Sequence, residues 1–292
     1  MNIVFAILLG IIQGITEFLP VSSSALTYLF QDRLAFTDAP VLLMSSAVHL
    51  GTLTACLWAL RRSFFKIFSS YGEILKDALG NAKIWYRNTR YGENGSYARI
   101  FGSVSKTLAG MIFFATISGA VMGFVLRHAA ADENNALLFS GMGFLLMAIL
   151  LLVVALMPVS LRSGRDLTMR RSFLVGILQG AAVLPGISRL GAVYTASQLL
   201  GMHRKTAARF AILSVLPITF GALLYEFTIG IEGITMDGSM VAELLAAAVA
   251  AGFVGGRMVR AAGRILRKNC VRLFCVINAV LGLICVVAYV IR

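Results

Sequence analysis

The sequence predicts an all-α integral membrane protein, and three observations carry that expectation. Of its 292 residues, 59% are hydrophobic and only 13% are charged, about half the charged share a soluble domain uses to cover its surface. Six apolar stretches are long enough to cross a bilayer as helices, which takes roughly 20 residues each. Two further stretches are equally apolar but broken by proline and polar groups. Backbone groups freed by such breaks are tolerated at membrane depth only where they line a protein-walled cavity.

The six unbroken stretches are Val41–Leu60, Thr107–Leu126, Ala136–Leu161, Phe210–Ile231, Met240–Val259 and Leu273–Ile291. The first broken stretch, Ile3–Phe30, is interrupted by Pro20 and by Ser22, Ser23 and Ser24. The second, Phe173–Leu200, is interrupted by Pro185, Gly186, Ser188 and Arg189. No polar stretch is long enough to form a separate domain, so residues 1–292 read as a single membrane domain. The start of the chain, Met1 to Leu9, has no Lys or Arg ahead of its apolar run, which argues against a cleaved signal peptide.

Charge gives the orientation. Segment Arg61–Lys106 carries nine Lys/Arg, Arg162–Arg171 four, His203–Arg209 three and Arg257–Arg272 six. The remaining connections hold Asp32 and Asp38, Asp132 and Glu133, and Glu232, Asp237 and Glu243. Because basic connections stay in the cytoplasm, the six spans alternate between the two sides without conflict. Stretch 172–200 then has a basic connection at both ends and is expected to be a re-entrant hairpin from the cytoplasm. Stretch 1–30 leads into the acidic linker Gln31–Pro40 and is expected to dip in from the other face. Gly10-Ile11-Ile12-Gln13-Gly14 matches Gly176-Ile177-Leu178-Gln179-Gly180, and Leu19-Pro20-Val21-Ser22 echoes Leu184-Pro185-Gly186-Ile187-Ser188. Two re-entrant loops of opposite orientation that share letters are the mark of an inverted repeat.

A net charge of +13 would suggest nucleic acid in a soluble chain. Here it reads as a basic face against anionic lipid head groups, with membrane lipids rather than nucleic acid as partners. Within segment 61–106, Phe64, Ile67, Phe68, Tyr71, Ile74, Leu75, Ala78 and Leu79 recur at helical spacing, followed by Trp85, Tyr86, Tyr91 and Tyr97. That pattern predicts a helix lying in the cytoplasmic interface. Gly252 and Gly256 form a small-xxx-small pair, for which close helix packing is the first reading and a homodimer the second. Cys56, Cys270, Cys275 and Cys285 lack metal-ligand spacing and read as small packing residues.

Glu17 is the one acidic residue well inside an apolar stretch of the N-terminal half, and a carboxylate there reads as functional. Gln13 lies four residues earlier, on the same helical face. After Pro20 a helix should restart, capped by Ser22, Ser23 or Ser24. Its free N–H groups and positive dipole end attract anions, and three adjacent hydroxyls exceed what capping needs. Arg189 follows Pro185-Gly186-Ile187-Ser188, a second restart, where a forked guanidinium suits phosphate. If the hairpins meet, Gln13, Ser22, Ser24, Gly186, Ser188 and Arg189 form a phosphate pocket, and Glu17, Ser23 and Arg189 are its reactive groups. Glu17 would be a base or a cation ligand there. His49, in mid-span, reads first as a hydrogen-bonded packing residue, and Glu226 is balanced between structure and function.

At these residues the chain resembles the undecaprenyl-diphosphate phosphatases, the bacitracin-resistance family. The family's Glu/Gln-x-x-x-Glu motif with Phe-Leu-Pro-Val-Ser-Ser stands here as Gln13-Gly14-Ile15-Thr16-Glu17-Phe18-Leu19-Pro20-Val21-Ser22-Ser23-Ser24. Its Pro-Gly-x-Ser-Arg-Ser motif stands as Pro185-Gly186-Ile187-Ser188-Arg189-Leu190. His49-Leu50-Gly51-Thr52-Leu53 and Leu200–Phe210 are also similar to family stretches. The chain departs from the pattern at Leu26, where the family carries His, at Leu190 in place of Ser and at Val193 in place of Thr. Losing an imidazole removes a natural acid–base group and shifts the burden to Glu17, Ser23, Ser188 and Arg189.

The resemblance implies hydrolysis of undecaprenyl diphosphate to undecaprenyl phosphate and inorganic phosphate, which recycles the cell-wall lipid carrier and lowers bacitracin sensitivity. It implies Mg²⁺ or Ca²⁺ at the site, with Glu17 as a ligand, and a multi-pass place in a bacterial plasma membrane with the pocket facing outward. The alternatives are a transporter of polyprenyl phosphate and a divergent member of reduced activity.

Overall fold

The computed structural model describes residues 3–34, 40–130, 135–157, 168–267 and 270–291. They form α-helices in the order α1 (Ile3–Thr16), α2 (Ser23–Leu34), α3 (Val41–Ala59), α4 (Arg61–Tyr91), α5 (Val104–Ala130), α6 (Ala136–Leu156), α7 (Met169–Ala181), α8 (Arg189–Leu199), α9 (Arg204–Gly230), α10 (Gly238–Arg267) and α11 (Val271–Val290). No strand occurs among the described residues.

Six of these helices, α3, α5, α6, α9, α10 and α11, are long and apolar enough to cross a membrane. They match the six unbroken stretches, with displaced ends. α9 starts at Arg204, six residues before Phe210, because His203 caps it by accepting a hydrogen bond from the Lys205 N–H. α10 runs on to Arg267, since the long stems of Arg257, Arg260 and Arg264 can lie along apolar surface while their charges reach the interface. Residues Pro158–Leu161 of the third expected span lie outside the described residues. The acidic linker expected over Gln31–Pro40 is helical as far as Leu34, and 35–39 lie outside the described residues.

Both broken stretches are pairs of short helices, α1 with α2 and α7 with α8, each too short to span. The two ends of the second hairpin meet, for Arg171 Nη1 donates to the Leu200 carbonyl at 3.2 Å. This hairpin therefore begins and ends at one place in the fold. In the first hairpin, Phe30 of α2 packs on the cluster holding Phe5 and Ala6 of α1.

Glycines let each hairpin dock on a spanning helix. A Cβ on Gly10 would strike the Ala247 carbonyl of α10, and one on Gly14 would sit 2.8 Å from the Ala251 carbonyl. A Cβ on Gly176 would strike the Ala115 carbonyl of α5, and one on Gly180 would strike the Gly119 carbonyl. Close backbone approach of this kind drives association where lipid removes any hydrophobic gain. The partnerships are reciprocal: α1 lies on α10, α7 lies on α5, α3 meets α9 and α6 meets α11. Gly252 is occupied inside the chain, where a Cβ would stand 3.2 Å from the Gly51 carbonyl of α3, and Gly256 faces Ala55. This small-residue pair therefore serves helix packing within one copy.

The segment expected to lie in the interface, 61–106, begins with one continuous helix, α4, of 31 residues. Phe65, Phe68, Leu75, Leu79, Trp85 and Tyr86 are exposed along it, while Ile67 and Ser70 are buried. Tyr71 turns inward and donates to the Ala109 carbonyl at 3.0 Å, and burial pushes its phenol up to about 12. Gly92 ends the helix in the left-handed region at φ 65°, a conformation that costs glycine nothing. The chain then folds back on α4, where Asn88 pairs with Gly95 and Asn81 with Ala98 through reciprocal hydrogen bonds. The segment stops before Lys106, which belongs to α5.

Candidate active site

The two hairpin tips touch between the spanning helices. Proline cannot donate within a helix, and the chain around Pro20 is a turn from Glu17 to Pro20 between α1 and α2. In the second hairpin a turn joins α7 to α8, and Ser188 caps α8 by accepting from the Gly191 N–H at 3.1 Å. The same Ser188 hydroxyl donates to the Leu19 carbonyl at 3.1 Å. Asn278 of α11 donates to the Pro20 carbonyl at 2.8 Å. The Leu19 and Pro20 carbonyls of the first tip are thereby each satisfied by a side chain from elsewhere in the fold, as a broken helix in lipid requires.

A cavity opens at this junction. Its polar lining is Glu17, Ser22, Ser23, Ser24, Ser188 and Arg189, with Val21 and Ile187 as apolar walls. α2 and α8 both begin here, so two sets of unpaired N–H groups and two positive dipole ends border one space. Ser22 takes the capping part for α2, accepting from the Ala25 N–H at 3.4 Å, and its hydroxyl lies 3.3 Å from that of Ser24.

Glu17 is 7% exposed, and a buried carboxylate needs donors. It has three. Ser23 Oγ donates to Oε2 at 2.7 Å, Gln13 Nε2 donates to the same oxygen at 3.0 Å, and Thr219 Oγ1 donates to Oε1 at 3.2 Å. Gln13 is held in turn by Thr27, whose hydroxyl donates to its Oε1 at 3.2 Å. Arg189 Nη1 donates to Thr219 Oγ1 at 3.3 Å, so one hydroxyl joins the guanidinium to the acid. His49 Nδ1 lies 2.6 Å from Glu226 Oε2, and its Nε2 lies 3.9 Å from Glu17 Oε2.

The sequence-derived residues therefore divide. Glu17, Ser22, Ser23, Ser24, Ser188 and Arg189 border the cavity. Gln13 stands behind Glu17 as its donor. Gly186 faces away: at φ 90° it lies against α6, where a Cβ would strike the Ser140 carbonyl and stand 2.6 Å from the Phe144 nitrogen. Its lack of a side chain lets the second tip approach α6. Leu26 packs against the apolar core.

Sequence reasoning missed Thr219 and Thr27, read His49 first as a packing residue, left Glu226 balanced between structure and function, and did not pair the two. A threonine in an apolar span usually bonds its own helix, so its spacing carries no signal. Thr219 stands two residues after Pro217 inside α9, and that proline was the one available hint.

No group of three or more His, Cys, Asp or Glu side chains that could hold a metal occurs among the described residues. The donor set nevertheless suits a hard cation held jointly with a ligand. Mg²⁺ binds through one or two carboxylates plus phosphate oxygens and keeps several waters, and Glu17 with its ring of hydroxyls offers such a half-shell.

Comparison with known proteins identifies the family. The family described as bacitracin resistance protein BacA matches residues 6–284. A protein of Gemmatimonas aurantiaca named undecaprenyl-diphosphatase is 30% identical over 279 residues, covering 96% of this chain and 95% of its own length. One of the same name from Christiangramia forsetii is 32% identical over 88% of this chain and 86% of its own. A third, from Chloroherpeton thalassium, is 30% identical over 97% and 95%. With both motifs inside the matched region, which takes in all or most of each hairpin and span, this chain is a multi-pass membrane protein that belongs to the bacitracin resistance protein BacA family.

Proposed function

We propose that the protein hydrolyses undecaprenyl diphosphate to undecaprenyl phosphate and inorganic phosphate, and so recycles a lipid carrier of cell-wall synthesis and supports bacitracin resistance. The observation that carries the proposal is the 2.7 Å hydrogen bond from Ser23 Oγ to Glu17 Oε2, set between two helix N-termini and beside Arg189. Phosphoryl transfer asks a protein mainly for positioning and for stabilisation of charge on the equatorial oxygens. Arg189, the starts of α2 and α8 and the hydroxyls of Ser22, Ser24 and Ser188 supply the charge stabilisation. Glu17 is the group that takes a proton, from Ser23 or from a water on the same path. The attacking oxygen bonds to the terminal phosphorus as the bond from that phosphorus to the bridging oxygen breaks; where Ser23 attacks, water then hydrolyses the phosphoserine to release inorganic phosphate. The bridging oxygen leaves with the polyprenyl phosphate.

A divalent cation, Mg²⁺ or Ca²⁺, would be held by Glu17 and diphosphate oxygens and would neutralise developing charge. We place the mouth of the cavity on the outer face, because the basic connections gather on the opposite side. The matching glycine docks of α1 on α10 and α7 on α5 support reading the two halves as an inverted repeat. The polyprenyl tail stays in lipid while the head group enters.

The test is phosphate release from undecaprenyl diphosphate by purified protein with Mg²⁺ or Ca²⁺. Wild type releases phosphate, and Glu17→Gln and Arg189→Ala each lower kcat by about 10²–10³-fold. No release from long- or short-chain polyprenyl diphosphates under either metal would overturn the proposal.

A further inference from the structure

Two hydrogen bonds, one helical turn apart, join α1 to α2 across the turn at Pro20. Gln13 and Glu17 stand four residues apart, and the Glu17 N–H donates to the Gln13 carbonyl at 2.9 Å, so the helical spacing of α1 carries through to the acid. Ser23 and Thr27 have the same spacing on α2. Residues at that spacing share one face of a helix, and here the two faces meet. Ser23 Oγ donates to Glu17 Oε2 at 2.7 Å, and Thr27 Oγ1 donates to Gln13 Oε1 at 3.2 Å. Gln13 Nε2 closes the ring by donating to Glu17 Oε2 at 3.0 Å. Gln13 and Thr27 are 1% and 3% exposed, and neither lines the cavity.

This ring admits one orientation of the amide. A carboxylate only accepts, so the Gln13 nitrogen faces Glu17 and its oxygen faces Thr27. A threonine in a helix commonly gives its proton to the carbonyl four residues earlier, as Thr16, Thr54 and Thr116 do. Thr27 gives its proton to the neighbouring helix instead. An amide held at both ends stays on Glu17, whereas one held at a single end can turn away to find a donor for its buried oxygen. The second bond also acts on α2. A helix tied at Ser23 alone can rotate about its axis and carry the hydroxyl off the acid. A tie one turn further along stops that rotation.

We propose that Thr27 is a positioning residue for phosphate release, acting through Gln13 to keep Ser23 Oγ and Glu17 Oε2 in register. The inference rests on the phosphatase reading. Thr27 touches neither the cavity nor the acid. Its neighbour Leu26 packs against the apolar core, so Thr27 is the residue through which this turn of α2 reaches the acid. The groups that border the cavity for a phosphate, Ser22, Ser24, Ser188 and Arg189, lie outside the ring, so the loss should fall on turnover and not on binding.

The experiment measures kcat and KM for phosphate release from undecaprenyl diphosphate, with the thermal midpoint of each variant in detergent. Thr27→Val keeps the shape and deletes the hydroxyl. It should lower kcat about tenfold and leave KM within about twofold. Thr27→Ser keeps the hydroxyl and should return kcat to within about twofold of wild type. Gln13→Leu should lower kcat at least as much as Thr27→Val, and adding Thr27→Val to it should cost nothing more, because the two act as one unit. A loss that Thr27→Ser does not restore, that appears in KM, or that adds in full to the loss of Gln13→Leu makes Thr27 a packing residue and overturns the proposal. If Thr27→Val does not fold, Thr27→Ala against Thr27→Ser decides, and equal kcat in these two overturns it. A wild type that releases no phosphate defeats the phosphatase reading and this role with it. An active wild type beside an equally active Thr27→Val defeats the role of Thr27 only.

Discussion

Glu17 and Arg189 are joined by a single hydroxyl, that of Thr219, which donates to Glu17 Oε1 at 3.2 Å and accepts from Arg189 Nη1 at 3.3 Å. The acid comes from one broken hairpin, the guanidinium from the other, and the link from a helix long and apolar enough to span. Arg189 therefore borders the cavity without a two-point ion pair with Glu17.

Thr219→Val keeps the shape and deletes the link. A buried donor and acceptor lose their partner, at about 1–3 kcal/mol. We expect kcat to fall about 10–100-fold, with Thr219→Ser close to wild type. Phosphate-release kinetics on the three proteins check this.

Ser188 has two tasks in one oxygen, capping α8 and tying the second tip to Leu19. Ser188→Ala should cost about 1–2 kcal/mol of stability and lower the thermal midpoint in detergent. Ser188→Thr keeps both bonds and should restore most of the loss.

The glycine docks are steric. Gly14→Ala would place a Cβ 2.8 Å from the Ala251 carbonyl, and overpacking of this kind costs about 1–3 kcal/mol. Gly80→Ala, in open space on α4, should instead add up to about 1 kcal/mol of helix stability. Comparing thermal midpoints of the two variants separates packing from propensity.

Asp237 gives a pH signature at the start of α10. Its carboxylate accepts from the Met240 N–H at 2.7 Å and from the Ser239 hydroxyl. The Met240 bond, first among its causes, holds its carboxyl below the ordinary value of 3.8. A depressed folded value means stabilisation that is present above the unfolded value and lost as pH falls through the folded one. Asp237→Asn keeps a cap without a charge, so wild type should lose its advantage over this variant as pH drops below 3.8. Thermal midpoints of both proteins across that range measure it.

The fold was legible because lipid demands long apolar runs, and breaks such as Pro20 and Pro185 stand out against them. The site was legible for a related reason: Glu17 and Arg189 are too costly in such surroundings to be incidental. Thr219 was hidden because a threonine in a span looks like any β-branched residue. Gly186 was read as part of the pocket because a glycine beside a phosphate-binding turn and a glycine against a helix have the same letter, and only the approach of α6 separates them. The His49–Glu226 pair spans 177 positions, a distance over which helical spacing says nothing.

The bond from Ser188 to Leu19, with Asn278 holding Pro20, makes a septum of the two tips. The cavity at their junction is backed by side chain tied to main chain, Ser188 to Leu19 and Asn278 to Pro20.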